Sequence, residues 1–164
     1  MACFDKVDYH FQDSYERYLR KFNCADPNDE ENIRKGQIYA GTHIGMYMEW
    51  IIKHNLEGDI HKESSKESLQ KVRNNEMNGV EFILDECDGK LWDCDFNEEG
   101  LKFTESYYDD YLSEYGYFAT NVGKMYLVEY TRDNYEMLSK KIDIAYKNFK
   151  KTNHKSFFSR IFKR

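Results

Sequence analysis

The 164 residues include 40% hydrophobic and 16% aromatic side chains, with 14 Tyr, 11 Phe, 2 Trp, 9 Gly and a single Pro. That composition excludes disordered, collagen-like and proline-rich classes and suits one domain. The formal net charge is −6, but residues 147–164 hold 7 Lys and Arg and no acid, so residues 1–146 keep 17 basic against 30 acidic residues, a balance of −13.

Along the chain, residues 4–11 alternate loosely and predict a short strand. Residues 13–22 predict a helix, because Tyr15, Tyr18, Leu19 and Phe22 recur at helical spacing. Residues 25–32 hold Pro27 and several acids and predict a loop. The strongest helix is 33–55, with Ile38, Tyr39, Ala40, Ile44, Tyr47, Met48, Ile51 and Ile52 on a broad apolar face. Gly41 and Gly45 sit inside it, and each costs about 1 kcal/mol relative to Ala, which implies close approach of another backbone. A turn at 57–60 leads into a charged helix over 62–73, and a short apolar helix follows at 80–87.

Asp88-Gly89 predicts a turn, because Gly accepts positive φ. The next helix spans 95–117, with Asp95 as its N-cap and Glu98 completing an approximate capping box. Residues 125–130, MYLVEY, are rich in strand formers and are assigned as the partner of 4–11. A last helix begins at Thr131. The fold class is therefore mostly α: a single-domain helical bundle over 1–150 with a minor two-stranded β element, then a basic, aromatic tail at 151–164.

The N-terminus carries acids where the apolar core of a signal peptide belongs, and the apolar run at 44–52 contains Glu49 and is far too short to span a membrane. A cytoplasmic protein is expected, so Cys3, Cys24, Cys87 and Cys94 are read as reduced thiols. No CxxC pair exists, which argues against zinc. Calcium is also not expected. Asp93, Asp95 and Asn97 match EF-hand positions one, three and five, but Glu98 stands at position six and Thr104 at position twelve. No cofactor motif or glycine-rich phosphate loop occurs.

His43 lies within the apolar helix and is read as buried and structural, as are Gly45, Cys87 and Gly89. The acids beside Cys87 oppose a thiolate. No catalytic residue is assigned.

Five segments, FDKVDYHF, GTHIGMYMEW, FILDECDGKLWDCDFNEEG, YYDDYLSEY and YTRDNYEML, resemble in order a family of small, uncharacterised bacterial cytosolic proteins. The chain departs from that pattern at Tyr9, where a Trp often precedes the His, and it lacks the following proline-containing segment. The resemblance implies a bacterial cytosolic domain of a kind expected beside toxin genes, and so an immunity-like family.

Three functions follow as expectations. The first is an immunity-type protein that binds and neutralises a cationic toxin domain. Its acidic body repels nucleic acid and steers cations inward. The contact residues assigned are Asp88, Trp92, Asp93, Asp95, Tyr107, Tyr108 and Tyr111. The second is a small enzyme using His43 with a carboxylate such as Glu49 or Asp88. The third is an adaptor whose residues 147–164 make a weak membrane or other anionic contact.

Overall fold

The computed structural model describes residues 2–122 and 125–161, and for 153–161 the backbone only. Its elements run β1 (Cys3–Lys6), α1 (Val7–Phe22), α2 (Glu30–Lys53), α3 (Asp59–Ser64), α4 (Lys66–Arg73), α5 (Gly79–Glu86), β2 (Lys90–Trp92), a 3-10 turn (Asp93–Asp95), α6 (Glu98–Asn121) and α7 (Arg132–Ile161). The fold is mostly helical with one small antiparallel sheet.

α2 forms the axis of the bundle. Every residue from Ala40 to Ile52 is buried, including Thr42, His43 and Glu49. A helix buried on all sides belongs at the centre of a core, and α1, α4, α5, α6 and α7 surround this one. Its start is capped by the Asp29 side chain, which accepts from the Asn32 N–H at 3.0 Å. Gly45 marks the crossing with α5, where an added Cβ would lie 2.4 Å from Val80 N. The opposing Gly79 has its own Cβ position 1.9 Å from Gly45 O, so the two backbones meet directly. The close backbone approach expected at Gly41 and Gly45 is present only at Gly45, since Gly41 faces the side chains of Val7 and Val80.

The strand expected over 4–11 ends at Lys6. Val7 opens α1 instead, with its N–H donating to Gly89 O at 2.8 Å. Val7, Phe11, Tyr15, Tyr18 and Phe22 then form a continuous helical stripe that eight residues of loose alternation concealed. The partner of β1 is β2, not 125–130: Cys3 faces Trp92, Asp5 faces Leu91 and Lys6 faces Lys90. Asp88 and Gly89 hold φ of 52° and 67°, and their turn swings β2 back against β1.

Residues 127–130 carry no regular structure and lie against the bundle as a strap. Ser14 Oγ donates to Tyr126 O at 3.1 Å and Thr42 Oγ1 donates to Val128 O at 3.2 Å. These side-chain donors take the place of a strand ladder. The turn expected at 57–60 also resolves differently, since α3 begins at Asp59 and α4 follows as a separate helix.

α7 continues through the expected tail boundary to Ile161. Phe149, core-spaced in the last helix, packs on Phe103 with ring centres 5.4 Å apart. The side chains of Lys155, Phe157, Phe158, Arg160 and Ile161, together with Phe162, Lys163 and Arg164, lie outside the described residues.

Candidate functional site

Asp5 is 4% exposed and accepts four hydrogen bonds. The donors are Lys6 N at 2.8 Å, His10 Nε2 at 2.9 Å, His43 Nε2 at 3.1 Å and the Tyr108 hydroxyl at 3.1 Å. An ionised carboxylate only accepts, so both imidazoles present N–H at Nε2. Burial alone would raise the Asp5 pKa, but the bonds from His10 and His43 outweigh it and hold the carboxyl well below the usual range. Burial pulls His43 below the ordinary imidazole value, and Asp5 opposes this only in part. His43 is therefore neutral at neutral pH. Its carbonyl accepts from the Tyr111 hydroxyl at 2.6 Å.

This network ties β1, α1, α2 and α6 through a single carboxylate whose lone pairs are filled. His43 is buried and hydrogen-bonded, as its apolar neighbours predict. The carboxylates considered for it lie elsewhere. Glu49 is fully buried and binds Arg132 Nη1 at 2.6 Å, Lys53 Nζ at 2.7 Å, Gly79 N at 3.1 Å and the Tyr130 hydroxyl. Asp88 is exposed and pairs with Lys90. The constellation of His43 with either of these acids is not assembled.

A second buried group joins His61, Cys87 and Asp95. His61 Nε2 lies 2.9 Å from Asp95 Oδ1 and 3.9 Å from Cys87 Sγ. Asp95 Oδ2 accepts the Trp92 N–H at 2.5 Å. Asp95 is therefore not the cap of α6. Asn97 fills that place, accepting from Gly100 N at 2.9 Å. Sequence reading gave His61 no role, because its partners lie 26 and 34 residues away and carry no spacing signal. Among the described residues, this group and Asp5–His10–His43 are the two sets of at least three metal-capable side chains whose ligand atoms lie within 4.8 Å of one another.

The assigned contact residues separate by face. Tyr107, Tyr108 and Tyr111 are buried, as is Asp95, which corrects their assignment to a contact surface. Tyrosine is amphipathic, and here each ring fills the core while its hydroxyl meets an internal acceptor or α6's own Glu114. Burial pushes Tyr108 and Tyr111 well above the usual phenol range, so both stay donors. Trp92 and Asp93 are half-buried at the surface, with Lys6 Nζ 5.7 Å from the Trp92 ring and the Ala2 N–H donating to Asp93 at 2.8 Å. Cys87 is buried, and Gly89 sits in the left-handed turn.

Turning three tyrosines inward turns the acids of α6 outward. Glu98, Glu105 and Asp109 are exposed along one side of the helix, Asp110 is exposed about 100° further round, and Tyr117, 69% exposed, lies two turns beyond Asp109. Lys102 on this surface is held by Glu98 at 2.6 Å. Among the described residues no cation pairs with Glu105, Asp109 or Asp110.

Residues 3–136 match the family described as Domain of unknown function (DUF7832). The chain belongs to that family. The match starts at β1 and reaches the first turns of α7, so both buried networks and the whole of α6 lie within the DUF7832 domain. No curated protein and no solved structure shows detectable similarity to this DUF7832 chain. No helix among its described residues is long and apolar enough to cross a membrane.

Proposed function

We propose that the protein is an immunity-type binding protein that neutralises a cognate bacterial toxin by direct stoichiometric binding, with the outer face of α6 receiving a cationic toxin domain. The observation that carries this reading is the set of Glu105, Asp109 and Asp110, exposed and without a described cationic partner, in a body with a balance of −13. Glu105 and Asp109 stand four residues apart, the spacing at which like charges repel on a helix, and a basic partner relieves that repulsion. Such a field raises association rates and fixes orientation more than it adds affinity. Tyr117, exposed further along the same helix, offers an aromatic side chain of the kind that anchors a specific contact. The basic segment 147–164 has the opposite sign and lies outside this contact.

The test is co-expression with the product of the gene adjacent to this one, scored for relief of its toxicity, together with stopped-flow binding of the purified pair. The variant Glu105→Lys/Asp109→Lys/Asp110→Lys is expected to slow association by at least about 10-fold at low salt and to weaken protection of the cells. Wild-type association should slow as salt rises. An association rate indifferent both to salt and to the triple reversal would refute the proposal.

A further inference from the structure

We propose that His61, Cys87 and Asp95 form a zinc-binding site. Thiolate, imidazole and carboxylate are the donors zinc takes, and three protein ligands with a fourth position for water is a known zinc arrangement. The three donor atoms converge: His61 Nε2 is 2.9 Å from Asp95 Oδ1 and 3.9 Å from Cys87 Sγ, and all three lie within 4.8 Å of one another. Tetrahedral zinc, with bonds of about 2.3 Å to sulfur and about 2.0–2.2 Å to nitrogen and oxygen, spaces its donors by roughly 3.3–3.6 Å. The two separations from His61 Nε2 bracket that range, and the sulfur–oxygen separation lies within 4.8 Å.

Without a metal, His61 bonds Asp95 at 2.9 Å and reaches the Cys87 sulfur at 3.9 Å. One imidazole N–H directed at Asp95 leaves Cys87 with a long sulfur contact. An ion at the centre satisfies all three donors at once. Binding releases the thiol proton of Cys87 to solvent, and His61 presents Nε2 unprotonated with its ring proton on Nδ1. The outer shell is also in place, since the second oxygen of Asp95 is held by the Trp92 N–H. The Asp5 group has no such open donor, because each of its carboxylate oxygens already takes two hydrogen bonds.

The ligands come from α3, from the residue ending α5 and from the 3-10 turn before α6. α3 and the turn are six and three residues long. Such short elements have little core of their own, and a metal joining them closes that end of the bundle.

The test uses the full chain, freed of metal by chelator and titrated with Zn²⁺ and with Co²⁺ as a spectroscopic substitute. Expected are one zinc per chain and a thiolate-to-cobalt charge-transfer band. Cys87→Ser should abolish the band and weaken zinc by at least about 100-fold, since even outer-shell losses cost 10–100-fold. Asp95→Asn should weaken zinc while keeping an acceptor for Trp92. The combined Cys3→Ser/Cys24→Ser/Cys94→Ser chain should keep both band and stoichiometry. Far-UV dichroism on each metal-free variant separates lost binding from lost folding. Three results would each overturn the proposal. One is failure of the folded wild type to bind zinc at micromolar concentration. Another is binding that survives Cys87→Ser but disappears in His10→Ala, which puts the ion at Asp5. The third is a band that disappears only in the triple serine chain.

Discussion

Replacing Gly45 with Ala tests the α2–α5 crossing directly. In an open helix this change stabilises by about 1 kcal/mol, through helix propensity and reduced unfolded-chain entropy. At Gly45 the new Cβ would stand 2.4 Å from Val80 N, 2.5 Å from Val80 Cγ2 and 2.6 Å from Val80 Cα. Two of these atoms are backbone, so no side-chain rotation relieves the clash, and α5 must move outward by about 1 Å to restore ordinary contact near 3.5 Å. A gap of that size forfeits a quarter to a half of each contact's attraction. α5 buries Val80, Phe82 and Ile83 completely, worth about 1.5–3 kcal/mol each. The loss is therefore about 2–4 kcal/mol, and after the helix gain the net cost is about 1–3 kcal/mol. Urea unfolding followed by far-UV dichroism measures it, and thermal melting should fall by about 2–4 °C per kcal/mol. Gly116→Ala is the control, because nothing lies within 4 Å of its Cβ position, and it should gain up to about 1 kcal/mol. A Gly45→Ala chain as stable as wild type, with an unchanged denaturant slope, would refute the backbone-contact argument.

Glu49→Ala should cost about 3–5 kcal/mol in urea unfolding, because it strands Arg132, Lys53, the Tyr130 hydroxyl and the Gly79 N–H around a fully buried position. Stability should fall as pH drops below about 6.5, because unfolded His43 takes up a proton that the buried ring resists. It should fall again below about pH 4, where unfolded Asp5 protonates before the folded carboxylate does. Stability profiles of wild type and His43→Gln should converge in slope above pH 7 and differ below 6.5, and identical slopes throughout would contradict the assignment. A chain ending at Thr152 keeps Phe149 on Phe103 and Lys150 beside Glu99, so it should fold and protect cells as the full chain does. A cut after Asn148 removes both contacts and should lower the melting temperature.

Local signals in the sequence were read well where one helix face decides the outcome. α2, α5, α6 and α7 follow from apolar spacing, and Gly45 follows from the cost of glycine inside a helix. What local pattern did not reveal depends on distant partners. β2 is three residues long, and its only sheet partner lies more than 80 residues earlier. Asp95 has the chemistry of a cap, and Asn97 two residues later has it too. Burial of Asp95 beside His61 decided between them. His10 and His43 meet through Asp5, 5 and 38 residues away, and no spacing rule connects those positions. The inward turn of the tyrosines was readable in principle. Phe103, Tyr107, Tyr111, Tyr115 and Phe118 recur at intervals of three and four, and Glu98, Glu105 and Asp109 occupy the opposite side. Treating tyrosine as a contact residue by type, without placing it on the helix face, produced the error.

The two faces of α6 are one device. Tyr108 donates to Asp5 and Tyr111 donates to the His43 carbonyl, both inside the bundle. Tyr47 donates to Thr104 at 3.1 Å, which fixes the helix one turn earlier. Rotating α6 by one residue, about 100°, would break all three bonds and bury carboxylates in their place. The interior thus sets which residues face solvent, and it does so with neutral phenols. Burying acids there would cost several kcal/mol per charge unless each found a partner, as Asp5 and Glu49 do. Exposed acids stay solvated, so Glu105, Asp109 and Asp110 add charge at the surface for a mutual repulsion of only about 0.2–0.5 kcal/mol per i,i+4 pair. If the outer side of α6 is the proposed toxin contact, it can change by surface substitution while the core stays intact. The experiment that separates the two roles follows from this: Tyr111→Phe should lower stability with little effect on association rate per folded molecule, and the triple charge reversal should do the opposite.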